Sequence, residues 1–221
     1  MHSPLAPDPA RMPPWMPASW LAAVAVLLAS SAAMAIEEPG FRVLDKDGAF
    51  ELREYAPHLV AETRVEASFT DAGNAAFQRL FRYISGNNVA QQKIAMTAPV
   101  TQSGSEKIKM TAPVSQVADG NAYLVAFSLP STYTLATVPK PLDPTVRIRQ
   151  VPAQLVACWR YSGRWTESNY REHEVLLRER IKSRELVTRG DPVLARYNPP
   201  FTPWFMRRNE VWIPVAGQPK R

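Results

Sequence analysis

The chain has 221 residues, with 26 Lys and Arg against 20 Asp and Glu, a net charge of +6, and one cysteine, Cys158. A lone cysteine excludes an internal disulfide, a cysteine-based zinc site and a C-x-x-C-H cofactor attachment. The charges of both signs are interleaved, without a lysine-rich tail or an aromatic-basic stripe, which argues against a nucleic-acid partner, and the chain contains no P-loop, G-x-G-x-x-G or G-x-S-x-G.

Trp20 to Ala29, WLAAVAVLLA, is an apolar run. A helix needs about 20 such residues to span a bilayer, so this run is too short. It is followed by Ala33-Met34-Ala35, a small-x-small cleavage pattern. Residues 1–35 therefore read as a secretory signal cut after Ala35. The expectation is a periplasmic protein of residues 36–221 with no stable membrane anchor after cleavage. That length suffices for one domain with a core, or for two small halves.

LREYAPHLVAETRVEASFTD (Leu52–Asp71) and IRQVPAQLVACWRYSGRWTE (Ile148–Glu167) echo each other at a constant offset of 96. Arg53 matches Arg149, Leu59-Val60-Ala61 matches Leu155-Val156-Ala157, and Phe69-Thr70-Asp71 matches Trp165-Thr166-Glu167. Each copy reads as two strands joined by a proline-containing turn, then a helix. The first helix is expected from an N-cap at Thr70 to about Ser85, with Gly86 as the stop and Gly73, Phe77, Leu80, Phe81 and Ile84 as its inner stripe. The second is expected from Thr166 or Ser168 to about Arg189, before Gly190, with Leu176, Leu177 and Ile181 inward.

Between them the heptapeptide I-x-M-T-A-P-V occurs twice, at Ile94–Val100 and Ile108–Val114. Its period-two alternation predicts two strands of a hairpin about Gly104, in which Met96 faces Ala112 and Met110 faces Ala98. Met96 and Met110 either fill core or line an adaptable apolar pocket. The Pro-rich stretch Val138–Pro144 then joins two halves, about 41–137 and 145–215. The predicted class is α+β, with two ββαββ halves related by a pseudo-twofold and a ligand cleft at their junction.

The heptapeptide, the opening LREYAPHLVAET and the ending YNPPFTPWFMRRNEVWIPV (Tyr197–Val215) together resemble the SOUL haem-binding family, the bacterial exported branch in particular. The resemblance runs from about Phe41 to Val215. It implies a distorted antiparallel β-barrel flanked by two helices. It also implies reversible, non-covalent binding of haem or another tetrapyrrole in a hydrophobic cleft, on a fold shared with effector-binding domains for bulky apolar molecules. In the vertebrate member that names the family, an axial histidine precedes the tyrosine matching Tyr55; here that position is Glu54. The resemblance therefore implies burial of the porphyrin rather than histidine ligation at that position.

Residues 36–221 hold two histidines, His58 in a turn and His173, which matches Phe77 at the 96 offset. Either is an iron-ligand candidate or a solvated side chain. Phe77, Met96, Met110, His173, Trp204, Phe205, Arg207 and Arg208 are the candidate cofactor-binding residues, the aromatics for a flat ligand and the arginines, with Lys107, for porphyrin propionates. Cys158 alternates with Val156 on a predicted strand and reads as buried and inert. No nucleophile–base pair is evident, so the expected protein is a binder for haem buffering or transfer. The alternatives are a binding or sensing module for other bulky apolar molecules, and a hydrolase using a cleft carboxylate such as Glu210.

Overall fold

The structure is a computed structural model, described for residues 36–91 and 104–217. The signal segment and the first heptapeptide, with Met96 and the proposed hairpin partner strand, lie outside these residues. The elements in chain order are β1 (Phe41–Asp47), β2 (Phe50–Tyr55), β3 (His58–Val65), α1 (Phe69–Ile84), β4 (Asn88–Val89), β5 (Val114–Asp119) and β6 (Ala122–Ser128). There follow β7 (Lys140–Pro141), β8 (Val146–Val151), β9 (Gln154–Tyr161), α2 (Glu167–Ser183), β10 (Val187–Thr188), β11 (Val193–Arg196), a 3-10 turn (Trp204–Met206) and β12 (Asn209–Ala216).

Every strand pair is antiparallel, and the main sheet runs β1-β2-β9-β12-β11-β5-β6-β3-β8, with β10 beside β12. The end strands β1 and β8 do not pair with each other, so the sheet is open. This is an α+β fold. The strands joined by the proline turns do not pair with each other: β2 pairs with β9, and β3 with β8. The bounds of β2 and β3 recur 96 positions later as those of β8 and β9. Exchanging β2 with β8, β3 with β9, β5 with β11 and β6 with β12 reverses the strand order from β2 to β8 and leaves every pairing intact.

Both helices lie on one face. α1 packs on β3 and β6, and α2 on β9 and β12. Under α1 lies a core of Leu59, Ala61, Leu80, Tyr83, Val125 and Phe127; under α2 lies one of Phe50, Leu52, Leu177, Ile181, Val211 and Ile213. α1 is capped by Ser68, whose Oγ accepts from the Asp71 amide, two residues before the expected cap. Thr166 caps α2 as expected. α2 stops at Ser183, short of Arg189, because Glu185 takes a φ of 54° and the turn seats Leu186, whose amide bonds Ile181 O, in the core.

The second heptapeptide departs from its expected form. Residues 104–113 carry no strand, and β5 begins at Val114. The backbone donors of this segment reach other elements: the Ile108 amide bonds Ile84 O at the end of α1, and the Ala112 amide bonds Glu37 O in the N-terminal segment. Pro113 has no amide to give a ladder. The expected faces do not survive either. Ile108 and Ala112 are buried, Met110 is exposed, and Thr111 turns inward to donate to Ser128 O.

Candidate functional site

On α1, Gly73, Phe77 and Phe81 are spaced by four and so share one line. Phe77 and Phe81 stack at 5.7 Å between centroids and 10° between planes, and Phe77 also packs on Phe127 at 5.4 Å. Phe81 is 46 % exposed, so it stands at the edge of the buried face and not on the inner stripe expected of it. At the N-terminal end of the line the chain crosses to β11. Arg196 stands beside Val114 in register, and its guanidinium lies against Gly73, where a β-carbon would come within 2.4 Å of Nη1. Arg196 donates from Nη2 to Gln116 Oε1 at 2.7 Å, and Gln116 Nε2 in turn donates to Phe69 O. Its Nε is buried without an acceptor. Burial, with Arg207 nearby, brings the pKa of Arg196 down to about 10.

The line continues through Trp165. Its ring lies 5.3 Å from the Arg196 guanidinium and 4.1 Å from that of Arg207, and its Nε1 donates to Asn209 Oδ1. Arg207 donates to Thr202 O and Pro200 O, which pins the loop between β11 and β12. That loop carries Phe201, Trp204, Phe205 and Met206, all exposed. A contiguous exposed apolar group of this kind marks a binding surface more often than a random one. Gly73, Arg196, Trp165, Arg207 and the 3-10 turn thus adjoin one another in sequence of contact, and Phe77 lies one helical turn from Gly73.

Of the residues expected from the sequence, Phe77, Arg207, Trp204 and Phe205 belong to this group. Arg208 is on the opposite side of β12's register, where it pairs with Glu38 and Glu210 and lies 3.6 Å from the Tyr197 ring. His173, on α2, bonds Asn169 O through Nδ1 at 2.7 Å and stacks on Tyr161 at 4.0 Å. His58, at the start of β3, bonds Ala56 O. Glu54 is an exposed partner of Arg42. Met110 is exposed on the segment that leads into β5. Arg196 and Trp165 were not among the expected site residues. The available signal was the alternation Leu194-Arg196, which puts the arginine on the same face as a core leucine.

Glu210 has a different role from the cleft carboxylate of the hydrolase alternative. It is fully buried, and it accepts from Arg53, Tyr197, Trp212 and Arg208. Burial alone would raise its pKa, but the donors, Arg53 foremost, outweigh this and lower it to about 2. Such a group neither gives nor takes a proton near neutral pH. A separate groove of about 190 Å³ opens between the helices, with Phe69, Tyr123 and Tyr170 on its walls and Gln116 among its lining residues.

The family described as SOUL heme-binding protein matches residues 36–214. The chain belongs to the SOUL haem-binding protein family. Heme-binding protein 1 of Xenopus tropicalis is 30 % identical to this SOUL protein over 171 residues, 76 % of this chain and 85 % of that one. Heme-binding protein 2 of Homo sapiens is 26 % identical over 201 residues, 86 % and 92 % of the two chains. Among solved structures, the EcmrR C-terminal domain aligns with a TM-score of 0.52 at 9 % identity, covering 80 % of this chain and 98 % of that one. A hydrolase from Listeria innocua aligns with a TM-score of 0.50 at 8 % identity, covering 78 % and 94 %. At such identities the likeness is one of fold alone. Haem held without a covalent bond is the cofactor that family membership carries. The residues present suit it: stacked, partly exposed phenylalanines for an apolar disc, and an arginine, Arg196, with no carboxylate partner among the described residues. When bound, haem iron supplies axial coordination and one-electron chemistry.

Proposed function

We propose that this SOUL protein holds haem or a related tetrapyrrole on the surface of Phe77, Phe81, Arg196, Trp165 and the 201–206 loop, for buffering or transfer in the periplasm. The observation that carries the reading is the line of Phe81, Phe77 and Gly73 on α1, followed by the contacts of Arg196, Trp165 and Arg207, apolar at one end and cationic at the other. A porphyrin is a large apolar disc with carboxylates on one edge. Each square ångström it buries contributes about 25 cal/mol before the costs of association are deducted. The palindromic strand order supports two pseudo-twofold-related halves.

Export is part of the same proposal. The family match begins at Ile36, and Glu37, Glu38 and Gly40 just after it are tied to Ser131, Arg208 and Ala56. A chain cut after Ala35 therefore keeps an anchored N-terminus. The bacterial exported branch of the family fits this reading. A second reading, a module for other bulky apolar molecules, would use the same exposed apolar side chains, Phe81 and those of the 201–206 loop. The test is titration of the purified protein with haemin. The proposal expects a saturable Soret shift at one equivalent, and recovery of the protein from the periplasm starting at Ile36. Unsaturable, purely aggregative spectra would remove the haem reading. A full-length chain in the cytoplasm would remove the export reading.

A further inference from the structure

Arg196 is a buried cation that has no anion among the described residues. It is 9 % exposed, Gln116 Oε1 is its one hydrogen-bond acceptor among the described residues, and Nε has none. Buried charges in proteins are paired, because an unpaired one forfeits its hydration without return. The other deeply buried arginine obeys this: Arg53 is held by Glu51 and Glu210. Around Arg196 the protein supplies a neutral amide from Gln116 and the face of Trp165, and it keeps Gly73 bare, since a β-carbon there would press on both terminal nitrogens at 2.4 and 2.8 Å. The half-buried Phe77 and the exposed Phe81 follow Gly73 along the same α1 line.

We infer that Arg196 is the carboxylate seat of the ligand surface, taking a side-chain carboxylate of the tetrapyrrole on guanidinium Nη1, which has no acceptor among the described residues, while Nε is sealed from the surface and Nη2 is held by Gln116. The inference rests on the tetrapyrrole reading above and narrows it to porphyrins that carry free carboxylates. Arg208 is already committed to Glu38 and Glu210, and Arg207 to the loop carbonyls, so neither is as open as Arg196. A carboxylate on a flexible two-carbon arm reaches a recessed guanidinium that the rigid ring itself does not.

The experiment compares iron-free protoporphyrin IX with its bis(hydroxyethyl)amide, which keeps the ring but has neutral arms. Both are titrated by porphyrin fluorescence into the wild-type protein and into R196Q and R196K. Wild type is expected to bind the free acid roughly tenfold to a hundredfold more tightly than the amide, the range of a charge-assisted hydrogen bond. R196Q is expected to shrink that ratio below about threefold, and R196K to keep part of it. Removing an unpaired buried cation is expected to leave the melting temperature unchanged or raised, which a purely structural tether would not do. Free acid and amide binding alike to wild type would overturn the carboxylate seat while leaving tetrapyrrole binding in place. Failure of haemin and both porphyrins to bind would remove the parent reading and the seat with it. The wild-type comparison needs no variant, so a misfolded R196Q does not blunt the test.

Discussion

Arg53 and Glu210 form a bidentate ion pair, at 2.7 and 3.0 Å, with side chains 3 % and 0 % exposed. The pair sits on the sheet face opposite the helices, the face that also carries Cys158 and Trp212, and Tyr197, Trp212 and Arg208 complete the carboxylate's donors. Replacing such a pair whole is often neutral, but breaking it strands a buried charge.

Glu210→Gln is therefore expected to lower stability by about 3–5 kcal/mol at neutral pH. The pH dependence has a definite sign. The folded pKa of Glu210, about 2, lies below the ordinary 4.5, so its contribution is full above about pH 4.5 and fades as pH falls through 2. The gap in melting temperature between wild type and variant should narrow over that window. A gap that stays constant from pH 7 to pH 2 would show that the carboxylate charge is not what stabilises.

Thr111 and Met110 reverse the roles that the repeated heptapeptide suggests. Thr111→Val leaves Ser128 O without its donor and should cost about 1–3 kcal/mol. Met110→Gln, at an exposed position, should stay within about 0.5 kcal/mol. Chemical denaturation of the two variants checks this, and equal losses would contradict the burial described for the segment.

The repeat at 96 positions made the existence of β2, β3, β8 and β9 legible, though not their ends, because alternation and proline turns are local signals. Their partners were not legible. β2 meets β9 and β3 meets β8 across long stretches of chain, and nothing local encodes that exchange. The heptapeptide shows the opposite failure. Its alternation is perfect, yet Pro113 and the amide bonds to Ile84 and Glu37 hold it out of a ladder. At the site, aromatic residues such as Phe77 and Trp204 announced themselves by type. Arg196 did not, because an arginine after a short strand reads as a solvated charge until Gly73, remote in sequence, is seen to lie against it.

Gly73 offers a separate check on that contact. Glycine to alanine inside a helix usually stabilises by about 1 kcal/mol. Gly73→Ala should lose that gain, since the new carbon displaces the Arg196 guanidinium, and its affinity for haemin should fall several-fold. Asn74→Ala, one residue on and exposed, should show the ordinary helix gain and unchanged haemin binding. Matching behaviour of the two variants in melts and titrations would contradict the packing of Arg196 on α1.

The histidines should contribute little to affinity. His58 lies at the β3–β8 edge, and His173 already uses Nδ1 on Asn169 O and its ring face on Tyr161. His58→Ala is expected to leave the Soret position and affinity unchanged, and His173→Ala to have the larger effect of the two. Iron-free protoporphyrin should bind within about tenfold of haem, a difference of about 1.4 kcal/mol. A hundredfold loss on removing the iron would reveal a strong axial ligand.

The most direct test of where the tetrapyrrole sits is amide and indole NMR with ferric haem, whose unpaired electrons broaden nearby signals. The account predicts that Gly73, Phe77, Phe81, Arg196 and the Trp165 indole lose intensity first, at substoichiometric haem, while Glu54 and His58 keep theirs. Broadening centred on β1, β2 and β8 with the α1 signals intact would contradict it.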